Sequence, residues 1–487
     1  MKLSARSYNI DWTPKGLVYL LCFVGLMTIA YSLITSNWLL FIGAALFPLG
    51  IFILINIAEK PMLSYLLLGF IICYFSAIYR YSHIEGLSVI IDIALGISMF
   101  SILLNIISYR GSYPWKNSFN ILVITHLIWI AYVLITLLEP TIEIQKFRVY
   151  RGVILSTPLL YIVSSILLNK VNQLKTTLFL FSLFVLTAAI KVYWQKSRGF
   201  DSTEINWLIN EGAWATHLLQ SGIRYFSFYS DAGNFGSSMG MFAVIFGLIT
   251  FIAKKKIIRV LFLGVTILAT VGMIMSGTRG AIIVPFGGLA FYCLLSKSIK
   301  IITISCIIGT ILFCFFYFTD IGDSNSFIKR MRTAFRPIED ASYNVRLSNQ
   351  KRFAYYLKDK PFGLGVGGKV IDYDRLGDST DAEAIPTDSS YVGMWVESGI
   401  VGLLIYIVLQ ILVLLRCTYI IMFKIKNKQL SQILAALMCG VFGIWLNGYV
   451  GRGMVMYPSS FIIALFIVYT LNGTYLDKQL KYNETIL

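Results

Sequence analysis

Arg279 is the residue whose position most demands a chemical explanation. It stands in Ser276-Gly277-Thr278-Arg279-Gly280 between two apolar runs, and no other charged residue lies between Arg259 and Lys297. An arginine facing lipid near the bilayer centre costs about 2.5–3.5 kcal/mol, and less near the interface. Arg279 therefore either snorkels to the interface or faces a wet cavity or an anion. The flanking glycines, which let backbone and ligand approach closely, favour the anion. Asp92, inside another apolar run, is either a functional carboxylate or the partner of a neighbouring hydroxyl or amide. His126 reads as a satisfied core histidine and His217 as a surface one. Gly363-Leu364-Gly365-Val366-Gly367-Gly368 spells G-x-G-x-x-G, but a helix precedes it and none follows, so a dinucleotide fingerprint fails. A tight turn, or a nest of amides near a phosphate, fits better. Asp372, Asp374, Asp378, Asp381 and Glu383 have oxygens suited to a divalent cation, and Asp372-Tyr373-Asp374 has the D-x-D spacing of nucleotide-sugar transferases. A solvated acidic loop is the simpler reading, and no metal is assigned.

The elements that must carry these residues are membrane helices. The chain is 57% hydrophobic and 13% charged, against roughly 25% charged in a soluble protein. Its apolar runs predict an all-α, polytopic integral membrane protein with fourteen spans, near 16–34, 38–57, 62–79, 87–108, 120–138, 153–168, 176–190, 236–252, 260–275, 280–296, 301–318, 392–415, 431–450 and 457–474. The first run follows no cleavage site and reads as a retained helix. With the N-terminus inside, lysine and arginine crowd the cytoplasmic segments, where the acidic residues are Asp11, Glu59, Asp477 and Glu484. The net charge of +17 thus follows the positive-inside rule and implies no nucleic-acid partner. Both termini are expected in the cytoplasm. All seven cysteines fall in or beside spans and are expected to be free, buried and inert.

The expected divisions are 1–190 (spans one to seven), 191–235 (an outer segment), 236–318 (spans eight to eleven), 319–391 (a large outer loop) and 392–487 (spans twelve to fourteen and a cytoplasmic tail). The residues 139–152, with Arg151, read as a solvated rim. In the outer segment, Asp201-Ser202-Thr203-Glu204 is a capping-box pattern opening a helix. Ile205, Leu208, Ile209, Trp214, Leu218 and Leu219 continue it, and Trp207 and Trp214 suit the headgroup region. The segment ends with Arg224 and Asp231 close to the entrance of span eight. In the large loop, 343–357 reads as a helix stopped by Lys360-Pro361, with Leu347, Ala354 and Leu357 as its apolar stripe.

Taken in order, several pieces resemble the bacterial O-antigen ligase and O-antigen polymerase superfamily. They are Arg224 leading to Asp231-Ala232-Gly233-Asn234-Phe235-Gly236, Ser276-Gly277-Thr278-Arg279-Gly280-Ala281, Lys360-Pro361-Phe362-Gly363-Leu364-Gly365, and Asp388-Ser389-Ser390-Tyr391 through Glu397-Ser398-Gly399-Ile400-Val401-Gly402. The resemblance covers about 220–405. It implies a GT-C-like fold with one large outer loop, and a membrane-edge site for undecaprenyl-pyrophosphate-linked glycans in which Arg224 and Arg279 engage the diphosphate. Ligases of the family carry a histidine where this chain has Asp388, which favours the polymerase branch.

Glycosyl transfer from such a donor needs fixed cations for the departing diphosphate and a base for the acceptor hydroxyl. Asp388 is the expected base. Arg346, Tyr391, Glu397 and Arg452 are expected to bind substrate, with Tyr391 alternatively an interfacial aromatic and Glu397 alternatively an arginine's structural partner. No cofactor is expected. The expected partners are lipid-linked donor and acceptor glycans, membrane lipid, a chain-length regulator and a flippase. The expected place is the bacterial inner membrane, with the site on its outer face. A ligase is the alternative within the class, and a lipid-linked oligosaccharide flippase or transporter the alternative outside it.

Overall fold

The computed structural model describes residues 27, 56–84, 86–138, 150–219, 222–296, 299–322, 324, 328–329, 332, 335, 341–370, 384–481 and 484–487. In chain order the helices are α1 Pro61–Cys73, α2 Phe75–Ser82, α3 Val89–Tyr109, α4 Ile121–Thr136, α5 Thr157–Leu167, α6 Val171–Arg198, α7 Ser202–Asn210, α8 Trp214–His217, α9 Ala232–Ile252, α10 Lys256–Met275, α11 Ile283–Ser296, α12 Ile299–Phe318, α13 Ala341–Tyr356, α14 Ser390–Tyr419, α15 Lys428–Asn447, α16 Ser459–Leu471 and α17 Gly473–Asp477. A two-residue antiparallel pair, β1 Leu218–Leu219 with β2 Gly222–Ile223, follows α8. This is an all-α membrane protein. Among the described residues, seven helices are long and apolar enough to cross a bilayer: α3, α6, α9, α10, the stretch Arg279–Ser296, α14 with its continuation to Lys424, and α15.

The expectation of fourteen spans is only partly matched. The runs at 16–34 and 38–57 lie almost wholly outside the described residues. The run at 62–79 is broken at Tyr74 into α1 and α2, bent by 64°. Ile121–Thr136, Gly152–Leu167 and Ser459–Leu471 are shorter apolar helices. At 1.5 Å per residue, a 16-residue helix reaches about 24 Å, less than the roughly 30 Å hydrocarbon core. Conversely, α6 outruns the expected 176–190 because the polar side chains of its last turns have protein partners. Lys191 pairs with Asp201 at 3.0 Å and Glu204 at 3.1 Å, and Gln195 donates to Glu204 at 2.7 Å.

By contact the chain divides into two units, Met1–Leu66 with Ile97–Ser112, and Leu67–Gly96 with Tyr113–Leu487. Within the first, Asn105 donates to the carbonyls of Ala58 and Glu59 at 2.8 and 2.9 Å. Within the second, α9 and α15 form the centre, each 72% buried over its apolar window against 28–44% for the other spanning helices. They come close because the side chains between them are small. A Cβ on Gly440 would lie 2.5 Å from Ile245, and one on Gly288 of α11 2.8 Å from the Cys439 carbonyl. Small residues at such crossings replace the hydrophobic drive that is absent in lipid. The helix starts follow capping chemistry, with Asn120, Asp231, Ser389 and Asn427 each accepting from an amide two or three residues on.

Several bland readings hold. Asp92 accepts from Ser156 and pairs with Arg151 at 2.8 Å, so its charge is compensated within the protein. That also corrects the reading of Arg151 as solvated rim, while 139–149 lie outside the described residues. His126 bonds the Val153 carbonyl at 2.8 Å and meets Tyr161 edge-on. Cys73, Cys417 and Cys439 are buried, but Cys306 and Cys314 on α12 are exposed, contrary to expectation. Hydropathy places a cysteine in a span without saying which face carries it.

Candidate active site

Four chain segments converge at one end of the second unit: 216–235, 276–282, α13 with the turn after it, and 388–391 with 447–452. The first is anchored from below. Asp201 caps α7 with the expected box, and fully buried Glu204 takes the Lys191 ammonium. Arg80 of α2, which nothing in the sequence singled out, places its guanidinium 4.3 Å from the Trp207 ring and 4.5 Å from that of Phe226. It also donates to the Tyr229 carbonyl at 2.9 Å. Trp207 is thereby drawn into the protein, while Trp214 remains exposed.

The helix expected through Leu219 stops at Asn210, and the chain turns at Gly212. That turn folds His217 under Trp207 and Phe226. His217 is thus only 2% exposed, not a surface residue. Its Nε2 accepts from the Ala232 amide at 3.2 Å, so its Nδ1 carries the proton and donates to the Ala213 carbonyl at 2.9 Å. Burial, with Arg224 nearby, lowers its pKa from 6.5 to about 4.

Arg224 is then held from three sides. Its amide donates to the His217 carbonyl at 2.9 Å, Nη1 to the Thr216 carbonyl at 2.9 Å and Nη2 to Thr278 Oγ1 at 2.9 Å. Thr278 Oγ1 itself donates to the Ala232 carbonyl at 2.8 Å. One hydroxyl therefore ties Arg224, the start of α9 and the loop bearing Arg279. The Nε–H of Arg224 has no hydrogen-bond partner among the described residues.

Arg279 opens a short 3-10 turn ahead of α11. The glycine beside it does not make room for a ligand. Asn447 at the end of α15 donates to the Gly280 carbonyl at 2.6 Å, and a Cβ on Gly280 would lie 2.7 Å from Val450. Past α15, the Gly448 and Gly451 carbonyls accept from the Ser390 amide at 2.9 and 3.0 Å, and the Gly448 carbonyl from Ser389 Oγ at 2.9 Å. These bonds seat the start of α14 beside the segment carrying Arg452, and so bring Asp388 towards Arg452.

The electrostatics show which groups share the space. Burial lowers the pKa of Arg224 from its ordinary value, Asp231 opposes that, and the positive charges of Arg346 and Arg279 lower it further. Asp388 is open to solvent yet crowded by protein, which raises its carboxyl above the usual range, while Arg346 and Arg452 pull it back down. The structure thus brings together Arg224, Arg279, Arg346, Arg452 and Asp388, with Asp231 at the edge. Arg346 is the common member, sensed by both Arg224 and Asp388.

Tyr391, in the segment that carries Asp388, donates its hydroxyl to the Trp445 carbonyl at 3.0 Å and to Gln410 at 3.2 Å, which ties the start of α14 to the end of α15. Glu397 lies near Tyr150, beside a kink in α14. The amides of Gly363, Leu364, Val366 and Gly368 are all taken, by the Lys360 and Val396 carbonyls, the Tyr150 hydroxyl and the Gly365 carbonyl. The glycine run is a tight turn and offers none of these amides to a phosphate. The acidic residues 372–383 lie outside the described residues. On α13 the buried line is Asn349, Phe353 and Leu357, while Leu347 and Ala354 are exposed. The stripe read from sequence was offset because the helix packs on α14 through Phe353.

These features define an all-α membrane protein with a row of charges at its helix ends, Arg279 beside Arg224, Arg224 beside Arg346, and Arg346 and Arg452 on either hand of Asp388. Residues 264–407 match the family described as O-Antigen ligase, so that segment of the chain is similar to the O-antigen ligase and polymerase superfamily. The match takes in Arg279, Arg346, Asp388, Tyr391 and Glu397, and leaves Arg224 and Arg452 outside it. No curated protein and no solved structure matches the chain.

Proposed function

We propose that this protein polymerises lipid-diphosphate-linked oligosaccharide repeat units on the outer face of the bacterial inner membrane, by metal-independent glycosyl transfer with inversion. The observation that carries the reading is the grouping of four arginines with Asp388. A glycan linked to undecaprenyl diphosphate leaves behind an anion, and guanidinium groups fixed in advance stabilise that charge as it develops. Arginine suits the task because it keeps its charge and grips phosphate oxygens in pairs. Arg224 and Arg279 hold the diphosphate, with Arg346 and Arg452 between it and the base. The acceptor hydroxyl attacks the anomeric carbon, its proton passes to Asp388, and the bond from that carbon to the diphosphate oxygen breaks. A carboxyl lifted by burial is a better base than an ordinary one.

The finer architecture belongs to the same proposal: fourteen crossings in a GT-C-like arrangement, both termini cytoplasmic, and the divisions 1–190, 191–235, 236–318, 319–391 and 392–487. A flippase supplies the donor and a chain-length regulator acts on the product. A ligase is the second reading, favoured by the description of the matched family and opposed by Asp388 standing where those ligases have histidine.

The test is Arg279→Ala and Asp388→Ala in a polymer-producing cell, with membrane abundance checked. Loss of long-chain glycan with single repeats remaining supports the polymerase. Long unattached polymer indicates the ligase, and unchanged long-chain glycan in both variants removes the site. Donor crossing vesicles without a new glycosidic bond indicates transport.

A further inference from the structure

Two glycine-bearing stretches, 360–368 and 397–402, take no part in the arginine group, and they meet each other. Helix α14 is interrupted at Gly399, whose φ of 69° and ψ of −177° are not helical. Such a break strands backbone groups that need partners, the more so near a membrane. The turn after α13 supplies them: the Leu364 amide donates to the Val396 carbonyl at 3.0 Å, and the Val401 amide to the Pro361 carbonyl at 3.3 Å. The fit excludes side chains on both sides. A Cβ on Gly399 would overlap the Pro361 carbonyl, and one on Gly363 (φ 79°) would lie 2.7 Å from the Glu397 carbonyl. Two tyrosines brace the junction, Tyr132 donating to the Ser398 carbonyl at 2.6 Å and Tyr150 accepting from the Val366 amide at 3.2 Å.

Beyond that junction α13 and the first turns of α14 touch through side chains. Phe353 and Leu357 pack in one cluster with Val396, against which Val392 and Trp395 also pack. Two turns before Phe353, about 10 Å along the helix, stands Arg346, and Asp388 lies just ahead of the N-cap Ser389 of α14. These two sense each other's charge. Because side chains three and four apart share a helix face, a slip of α13 by one residue would turn Arg346 away from Asp388.

We infer that the Pro361–Leu364 turn and the Gly399 kink form a clasp that sets the register of α13 on α14 and so keeps Arg346 on the side of its helix nearest Asp388. Its residues position the site and do not touch the reacting atoms. The clasp is a statement about geometry; its consequence for turnover rests on the proposed glycosyl transfer.

The test uses the full chain in membranes. Spin labels on non-natural residues at Lys351 and Pro386 report the distance between α13 and the approach to α14. Gly399→Ala and Gly363→Ala are expected to broaden or displace that distance. They should also move the acid limb of polymerisation to higher pH, as Arg346→Gln does, and combining either with Arg346→Gln should add no further shift. Tyr150→Phe, which keeps its ring, should give a smaller change in the same direction. An unchanged distance in both glycine variants overturns the clasp. If those variants fail to accumulate, an unchanged distance in Tyr150→Phe overturns it. Undiminished polymer in Asp388→Asn removes the proposed chemistry and leaves the distance test standing.

Discussion

Arg224 and the turn bearing Arg279 are held by hydrogen bonds that lead, through Thr278 and Asn447, to the ends of α9 and α15, the most buried of the spanning helices. Arg346 and Asp388 are held by apolar packing and a backbone clasp reaching in from the large loop. The first pair is over-determined: Arg224 makes three bonds, and Thr278 and Asn447 each tie a loop to a helix end. The second depends on α13 keeping its place. On the proposed reading, a site that holds a constant anion yet admits a growing acceptor is served by one fixed wall and one that a loop can adjust. The difference teaches that the Arg224 side tolerates little change, while the Arg346 side answers to mutations some distance away.

The largest effect should follow direct removal on either side. Arg279→Ala or Asp388→Asn should lower polymer formation by about 10²–10³-fold, measured with purified donor. Comparable losses in the two would show that the walls act as one site.

Acid should loosen the fixed wall. The pKa of His217 is about 4 against an ordinary 6.5, so the unfolded segment takes up a proton first as pH falls. Stability present above pH 6.5 is therefore lost as pH drops towards about 4, by up to roughly 3 kcal/mol. Hydrogen exchange of residues 213–232 should rise over that window, and His217→Gln should remove the dependence.

Arg346→Gln tests the adjustable wall. Asp388 would lose one of two neighbouring cations, its pKa would rise further, and a base must be ionised to act. The acid limb of activity should thus move to higher pH, measured as a pH–rate profile with purified donor, with the loss greatest on the acid side.

The smallest effect is expected at Thr278. Thr278→Val leaves the Ala232 carbonyl and one Arg224 N–H without their shared partner, costing about 1–2 kcal/mol. It should raise the donor KM more than it lowers kcat, and Thr278→Ser should restore most of the loss. Equal effects of Val and Ser would mean that the hydroxyl does not set Arg224.

Much of the site was legible from isolated charges. Arg279 stood out because an arginine between two apolar runs needs a reason, and Asp388 because a family pattern ended there. Arg346 and Arg452 were nominated without geometry, and Arg80 was overlooked because a cation at the edge of an apolar run looks like an ordinary flank. His217 was misplaced because the periodicity of 205–219 suggested one continuous helix, whereas Gly212 turned the chain. Glu397 sat close enough to Asp388 in sequence to seem part of the site, but a helix points successive residues in different directions.

The sequence by itself determined the class of protein and the capping box that starts α7, because hydropathy and local hydrogen bonding act over a few residues. Only the tertiary structure decided that arginines from separate segments come together in a row ending at one carboxylate, that the glycine run closes a kink, and that His217 is buried. Those outcomes depend on contacts between residues tens to hundreds of positions apart, and no local pattern records which distant partner will satisfy a stranded carbonyl or an unpaired charge.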